Sequence, residues 1–422
     1  MRLDAFTGPS YRMQSIIAAS ERSVNWYPAR IESGRGKNPL FTLEPTPGYA
    51  LFAELPVGPG RGLFETNGRV FAAAASVVYE VLDTGSYIER ASGVATDTNP
   101  VTFASNGPAG NQLLFSSGDR GYLFDLSANT FTGQVVTDVT MVGFLDGFFL
   151  ALDATEARLK ISALEDGTTW TASQNAQRNT AADRWTGMVV ANRLIHLFGN
   201  RTSECWYDAD LSPFPFAAIP ESFRQIGVPS AFAACDASGL VPFLGQSNEG
   251  RGIIYRKNGY DVERISDHGV EYAIQGYGTI SDMLVYPHQD QGHPFTVFTF
   301  PTARATWVFD DATKAWHERP YWNPTLLREE SARSVWHCYA FNRHLVQDRT
   351  SGNIYTQSIT TYSDIGGAAI RRIRRSPHLN QENDFLTLSE MTCDLETGVG
   401  LTAGQGSDPI TMWRFSRDGG RT

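Results

Sequence analysis

The side chains best placed for chemistry fall into a few short stretches. The segment PHQDQGH brings His288, Asp290 and His293 together, two imidazoles and a carboxylate of the kind that bind a transition metal. Ligands from one short stretch need a further partner from elsewhere, and the same spacing suits a polar connection between two strands, which is the reading taken. Asp310 and Asp311 form a carboxylate pair that could share acid and base roles. They sit where a hairpin turns, so capping of the turn is the better reading. The tryptophans could stack sugars, but a tryptophan on a short strand more commonly fills the core.

The basic run IRRIRR is less ordinary. In an extended chain Arg371 and Arg375 share one face with Ile373, and Arg372 and Arg374 share the other with Ile370. Both faces are charged, so neither is a plain core face. Such a strand is a solvated edge, an ion-pairing element against a neighbouring acidic chain, or a phosphate contact. The net charge of −10 argues against the phosphate reading.

Two stretches resemble the Asp-box turn of some all-β proteins, S-x-D-x-G-x-x-W. One is a stretched version with Ser162, Asp166, Gly167 and Trp170; the other carries Ser416, Asp418 and Gly420 and stops one residue before the expected tryptophan. In that turn the aspartate accepts backbone N–H groups, the glycine supplies positive φ and the tryptophan packs into the sheet below. It is a folding device and not a catalytic one. The sequence has no GxxxxGK[ST], HExxH or GxSxG, and no GxGxxG following a strand, which lowers nucleotide, metalloprotease and hydrolase readings together. No cofactor, metal site or enzymatic activity is expected.

With 422 residues, 41% of them hydrophobic, the chain can bury a large core. Its four cysteines lack CxxC spacing and are too sparse for a disulfide framework, so they read as reduced thiols of a protein made in a reducing cytoplasm. Neither a secretion signal nor a membrane segment is read in the sequence.

These residues must be positioned by short strands. Ala305 to Tyr321 reads as a β-hairpin, an aromatic and β-branched run followed by turn chemistry and a second run around Trp316. The pattern recurs at 76–89, 121–131, 159–170 and 254–265. Strand-rich units begin near Val70, Gln112, Met141, Met188, Val241, Asp282 and Val335, a mean spacing of about 44 residues that fits propeller blades. The expected fold is all-β: a six- or seven-bladed β-propeller over residues 59–362. An extended N-terminal arm, 1–58, pairs with a C-terminal β segment, 363–422, in a small additional β domain.

The arm SYRMQSIIAASERSVNWYPARIESGRGKNPLFTLEPTPGYALF, the run SQNAQRNTAADRWTGMVVANRLIHLFGNRTSECWYDA, the segment DRTSGNIY and the basic AIRRIRRSPHL together resemble one family. It is the packaged-DNA stabilisation protein of short-tailed bacteriophages, the tail hub or nozzle. The pairing of NWYP at 25–28 with TPG at 46–48 carries the resemblance best. The resemblance implies a structural virion protein of the phage tail, assembled in the bacterial host cytoplasm. It implies a ring of six copies below the portal and its adaptor ring, with tail needle or fibre proteins as further partners. Genomic DNA would pass through its channel without sequence recognition. The arm and the strand of Arg371, Arg372, Arg374 and Arg375 then become candidates for subunit contacts or for the channel wall. The alternative is a glycan-binding or sialidase-like propeller, supported by the Asp-box-like turns and the tryptophans.

Overall fold

Two-residue turns set the architecture. Asn67–Gly68, Asp146–Gly147, Asn192–Arg193, Gln291–Gly292 and Phe341–Asn342 each join the first and second strands of a sheet, with every φ between 47° and 88°. Both central residues of a type I′ turn need positive φ, and only that twist matches the flanking strands. In the computed structural model, which describes residues 6–16, 18–32, 41–95, 97–378, 390, 407 and 410–416, these hairpins grow into seven successive antiparallel sheets.

Six sheets contain a complete four-stranded blade. The first runs from Gly60–Thr66 to Tyr87–Ser92, the second from Phe103–Ser105 to Thr130–Thr137, the third from Met141–Leu145 to Asp166–Gln177 and the fourth from Trp185–Ala191 to Phe216–Ala218. The sixth runs from Leu284–Asp290 to Ala315–Glu318, and the seventh begins at Ser334–Ala340. The fifth sheet has three strands, Leu240–Gln246, Arg251–Asn258 and Asp261–Arg264. Its innermost strand is reduced to isolated bridges, Gly227 to Gln246, Ala234 to Phe243 and Ala237 to Leu240. Uneven repeat spacing in the sequence has this as one cause.

Burial explains why the blades stand side by side. Each sheet is apolar on both faces and must be covered twice, which a ring of sheets does without leaving a long exposed edge. Phe71 and Val78 of the first blade pack against Leu113 and Phe115 of the second; Leu114 and Leu123 meet Val142 and Phe149 of the third. Leu150 and Leu152 then meet Trp185 and Ile195, and Phe198 meets Phe243. The ring closes where Leu345 and Ile354 of the seventh blade pack on Val70 and Ala72 of the first. Between the sixth and seventh blades the filling is different: His288 faces His337 with ring centroids 5.7 Å apart, and His337 stacks on His344 at 5.3 Å.

The arm is shared out among several partners. Strand β1 (Tyr11–Arg12) pairs with β2 (Ser20–Val24), and β2 runs parallel to the outer strand of the sixth blade, Val24 opposite Glu318. Strands β3 (Trp26–Arg30) and β4 (Phe41–Pro45) form a hairpin. Strand β5 (Gly48–Ala53) is the fourth, outer strand of the seventh blade, pairing with Ile354–Ser358. The C-terminal strand Ile373–Arg375 pairs antiparallel with β2, Arg22 opposite Arg375 and Val24 opposite Ile373.

The Asp-box-like turn of the third blade departs from expectation in one respect. Asp166 accepts from Thr168 N at 2.9 Å and from the Thr169 hydroxyl at 2.8 Å, and Trp170 Nε1 donates to Gly167 O at 2.8 Å. The positive φ falls on Glu165, at 56°, and not on Gly167. Gly167 is needed for space: a Cβ there would lie 2.9 Å from Leu123 Cδ1 and 3.0 Å from the Phe149 ring. Ser162 accepts from Phe149 N, binding the turn to its own sheet. Of the second stretch Ser416 is exposed, while Asp418 and Gly420 lie outside the described residues, as does the strand-like run at 385–395 apart from Glu390.

Candidate functional site

A charged cluster of four arginine–glutamate contacts joins the arm, the sixth blade and the basic strand. Its centre is Glu318, on the outer strand Ala315–Glu318. Strand alternation puts Glu318 on the face of Trp316, so an acid is drawn toward the interior. Arg12 Nη2 reaches both Glu318 oxygens at 2.7 Å. Arg22 donates from Nε at 3.1 Å and from Nη2 at 2.6 Å, and the same Nη2 bonds Glu329 at 2.8 Å. Ser10 Oγ adds a bond of 3.2 Å. Burial alone would push Glu318 up; Arg22 and Arg12 outweigh it and hold the carboxylate below its usual range. Arg22 is likewise raised against its burial by Glu318 and Glu329.

Beside this network the four arginines of the basic strand take different partners. Arg371 lies over the Trp322 ring at 4.5 Å and 3.9 Å from Glu329. Arg372 sits 5.6 Å from the Trp26 ring and donates to Thr46 O at 3.3 Å. Arg374 donates to the carbonyls of Phe6, Pro9 and Arg22. Arg375 is half-buried opposite Arg22. Burial pushes Arg374 down to about 10, with Glu21 acting against it, and lowers Arg372 as well. A guanidinium on backbone carbonyls behaves as a clamp: it satisfies acceptors that an arm without a full sheet would otherwise leave open.

The two motifs that carried the family resemblance are in contact. Asn25, at φ 55°, turns the chain between β2 and β3; its carbonyl accepts from Thr46 N at 3.2 Å, and its side-chain amide donates to Arg371 O at 2.8 Å and Pro320 O at 3.3 Å. A cleft of about 640 Å³ opens next to the network, lined by Arg12, Arg22, Tyr277, Trp307, Glu318 and Glu329. Sequence reasoning singled out the arginine strand but missed Glu318, Arg12, Arg22 and Glu329. The available signal was an acid on the core-facing side of a strand, two residues after a buried tryptophan.

The remaining candidates lie elsewhere. His288 and Asp290 end one strand of the sixth blade and His293 begins the next, so the connection is only Gln291–Gly292 and not a longer polar loop. His288 is buried with Nε2 3.4 Å from Arg319, whereas His293 Nδ1 bonds Asp310 at 2.8 Å, so the two imidazoles serve separate contacts. Asp310 also caps its turn, accepting from Ala312 N at 2.9 Å and the Thr313 hydroxyl at 2.7 Å. Among the described residues no group of three or more His, Cys, Asp and Glu side chains is placed to hold a metal ion.

A family model described as Bacteriophage P22 Gp10, beta-propeller, matches residues 24–362, from the corner at Asn25 to the end of the seventh blade. The chain belongs to this family. It is therefore a phage structural protein of the Gp10 family, and its matched span contains β3 to β5 together with the ring of blades. No curated protein sequence matches the chain. Among solved structures, a streptogramin B lyase is similar over 74% of this chain and 98% of its own, with a TM-score of 0.50 at 9% identity. The extracellular domain of a one component system from B. thetaiotaomicron is similar over 74% of this chain at 7% identity, with a TM-score of 0.50. The likeness spans 40% of that second protein. At such identities the similarity is one of fold alone.

Proposed function

We propose that this Gp10-family chain is a tail-hub or nozzle subunit, a non-enzymatic ring component that continues the DNA channel below portal and adaptor and helps retain the packaged genome. The observation that supports this most directly is the layer built outside the propeller by β1, β2 and the C-terminal strand, clamped by Arg12, Arg22 and Arg374. Around it the chain leaves large apolar side chains in solvent: Met412 is 81% exposed and Phe415 71%. Trp413 of the same stretch lies 6.3 Å from Phe6 of the arm. Exposed apolar residues beside a rigid layer are what a subunit or adaptor contact requires. A ring needs heterologous contacts that close, so the arm side of one copy would meet a different surface of the next. An acidic protein offers phosphates few sites for counterion release, and DNA would slide past it.

The test is the mass of the purified chain in solution, alone and after mixing with the cognate portal and adaptor proteins. A closed ring, formed alone or on the adaptor, is expected. A persistent monomer that ignores those partners would overturn this reading and favour a glycan-binding propeller.

A further inference from the structure

A second cluster lies between the fourth and fifth blades, far in sequence from the arm network. Lys257, on Arg251–Asn258, is fully buried. Its amine stands over the Phe198 ring at 4.7 Å, and among the described residues its one polar partner is Cys205 Sγ at 3.8 Å. Cys205, on Ser203–Asp208, is also fully buried, and His196 Nδ1 stands 3.3 Å from the same sulfur. His196 Nε2 is buried without a hydrogen-bond partner. The nearby acid, Glu204, is engaged by Trp185 Nε1 at 2.7 Å and Arg178 at 3.3 Å. A lysine enclosed with a thiol in place of a carboxylate is poorly explained by stability, since burying an amine without an anion is costly.

We infer that Cys205 and Lys257 are the two halves of a redox cross-link, a sulfur–nitrogen bond that joins the fourth blade to the fifth when the protein meets hydrogen peroxide. His196 accepts the thiol proton through Nδ1, and the thiolate attacks one peroxide oxygen, breaking the O–O bond to give sulfenic acid and, with the returned proton, water. The amine of Lys257 then attacks the sulfur, and the hydroxyl leaves with an amine proton as a second water. One thiol, one amine and one peroxide give one S–N bond and two waters; sulfur loses two electrons and peroxide gains them. Burial, with Lys257 adding to it, keeps His196 far below its ordinary value, at about 3, so the imidazole is neutral; burial also lowers Lys257, in the direction of the free amine that the second step uses. Burial pushes the thiol up while Lys257 acts against it, so the reaction is slow and follows breathing of the blade interface. The bond falls on the blade whose inner strand is reduced to isolated bridges.

The experiment exposes the folded full-length chain to hydrogen peroxide and maps its proteolytic peptides by tandem mass spectrometry. The expected product is a peptide containing Cys205 joined to one containing Lys257, lighter by two hydrogens than their sum and separated again by dithiothreitol. It is absent after peroxide treatment in urea and absent in Cys205→Ser and Lys257→Met, and it forms more slowly in His196→Gln. Cys205 that remains a thiol, or that passes to sulfinic acid with Lys257 free, overturns the inference. Should Lys257→Met not fold, the comparison of native and urea-treated wild-type protein decides alone.

Discussion

The side-chain amide of Asn25 donates to the backbone carbonyl of Arg371 at 2.8 Å, joining positions 346 residues apart. The same residue holds the left-handed corner between β2 and β3, so one side chain fixes both the course of the arm and the seat of the basic strand. Asn25→Ala loses the amide bonds and strains the corner, an expected cost of about 2–4 kcal/mol in chemical denaturation. Asn25→Gly keeps the corner and loses only the bonds, so its cost should be roughly half. Equal losses would mean that the corner contributes nothing.

Glu318 is met by two arginines, and a third lies beyond at Glu329. Replacing it with glutamine takes the shared anion from Arg12, whose side chain is 36% exposed, and from Arg22, which keeps Glu329, at an expected cost of about 1–3 kcal/mol. Limited proteolysis should then cut the arm of Glu318→Gln before the blades. Because the Glu318 carboxylate is depressed in the folded protein, its contribution is present above the ordinary carboxylate value and fades as pH falls through the folded one.

The histidines between the sixth and seventh blades predict acid sensitivity at milder pH. Burial lowers His288, His317 and His337, the last to about 3, helped by Arg319 at His288 and His317 and by His344 at His337. The unfolded chain takes up protons below about 6.5 while the folded chain does not, so stability should drop from there toward about 3. Asp364 at the same junction is raised by burial to about 7 and works in the opposite sense, offsetting part of the slope. The unfolding midpoint measured from pH 7.5 downward should fall in wild type and fall less steeply in His317→Leu. Parallel curves for the two would sink this account.

Gly167 and Glu165 separate space from backbone strain in the Asp-box-like turn. Gly167→Ala should destabilise by about 1–3 kcal/mol, because the new Cβ meets Leu123 and Phe149. Glu165→Gly relieves a left-handed residue and should leave the thermal midpoint unchanged or raised. The reverse order of the two variants would place the strain at Gly167.

How far these features could be read in the sequence depends on how local they are. Asn67–Gly68 and Asp146–Gly147 announce their turns, and a hairpin repeat announces blades. Asn192–Arg193 and Phe341–Asn342 make the same turn with residues that prefer it less, so those hairpins show only through the strands on either side. The stretch around His288 and His293 looks polar in one dimension, yet alternation sends His288 inward and Gln289 outward, and only the neighbouring blade makes an interior of that face. Beyond the acid two residues after Trp316, neither the Glu318 network nor the meeting of Cys205 with Lys257 has a local signature. Both arise from strands brought together by ring geometry.

Strand β5 has a consequence for how the protein is made. It leaves the ribosome early, but its partner Ile354–Ser358 is separated from it by about three hundred residues; the Thr356 hydroxyl that bonds Ala50 O lies 306 positions later. Until then an apolar strand edge stays open on the nascent chain, the situation most exposed to wrong pairing between neighbouring polypeptides. Blades one to six can form by local hairpins in order of synthesis, while closure has to wait for the last of them. The seam of the ring is thus also its clock: the propeller is finished only when the oldest and youngest parts of the chain find each other.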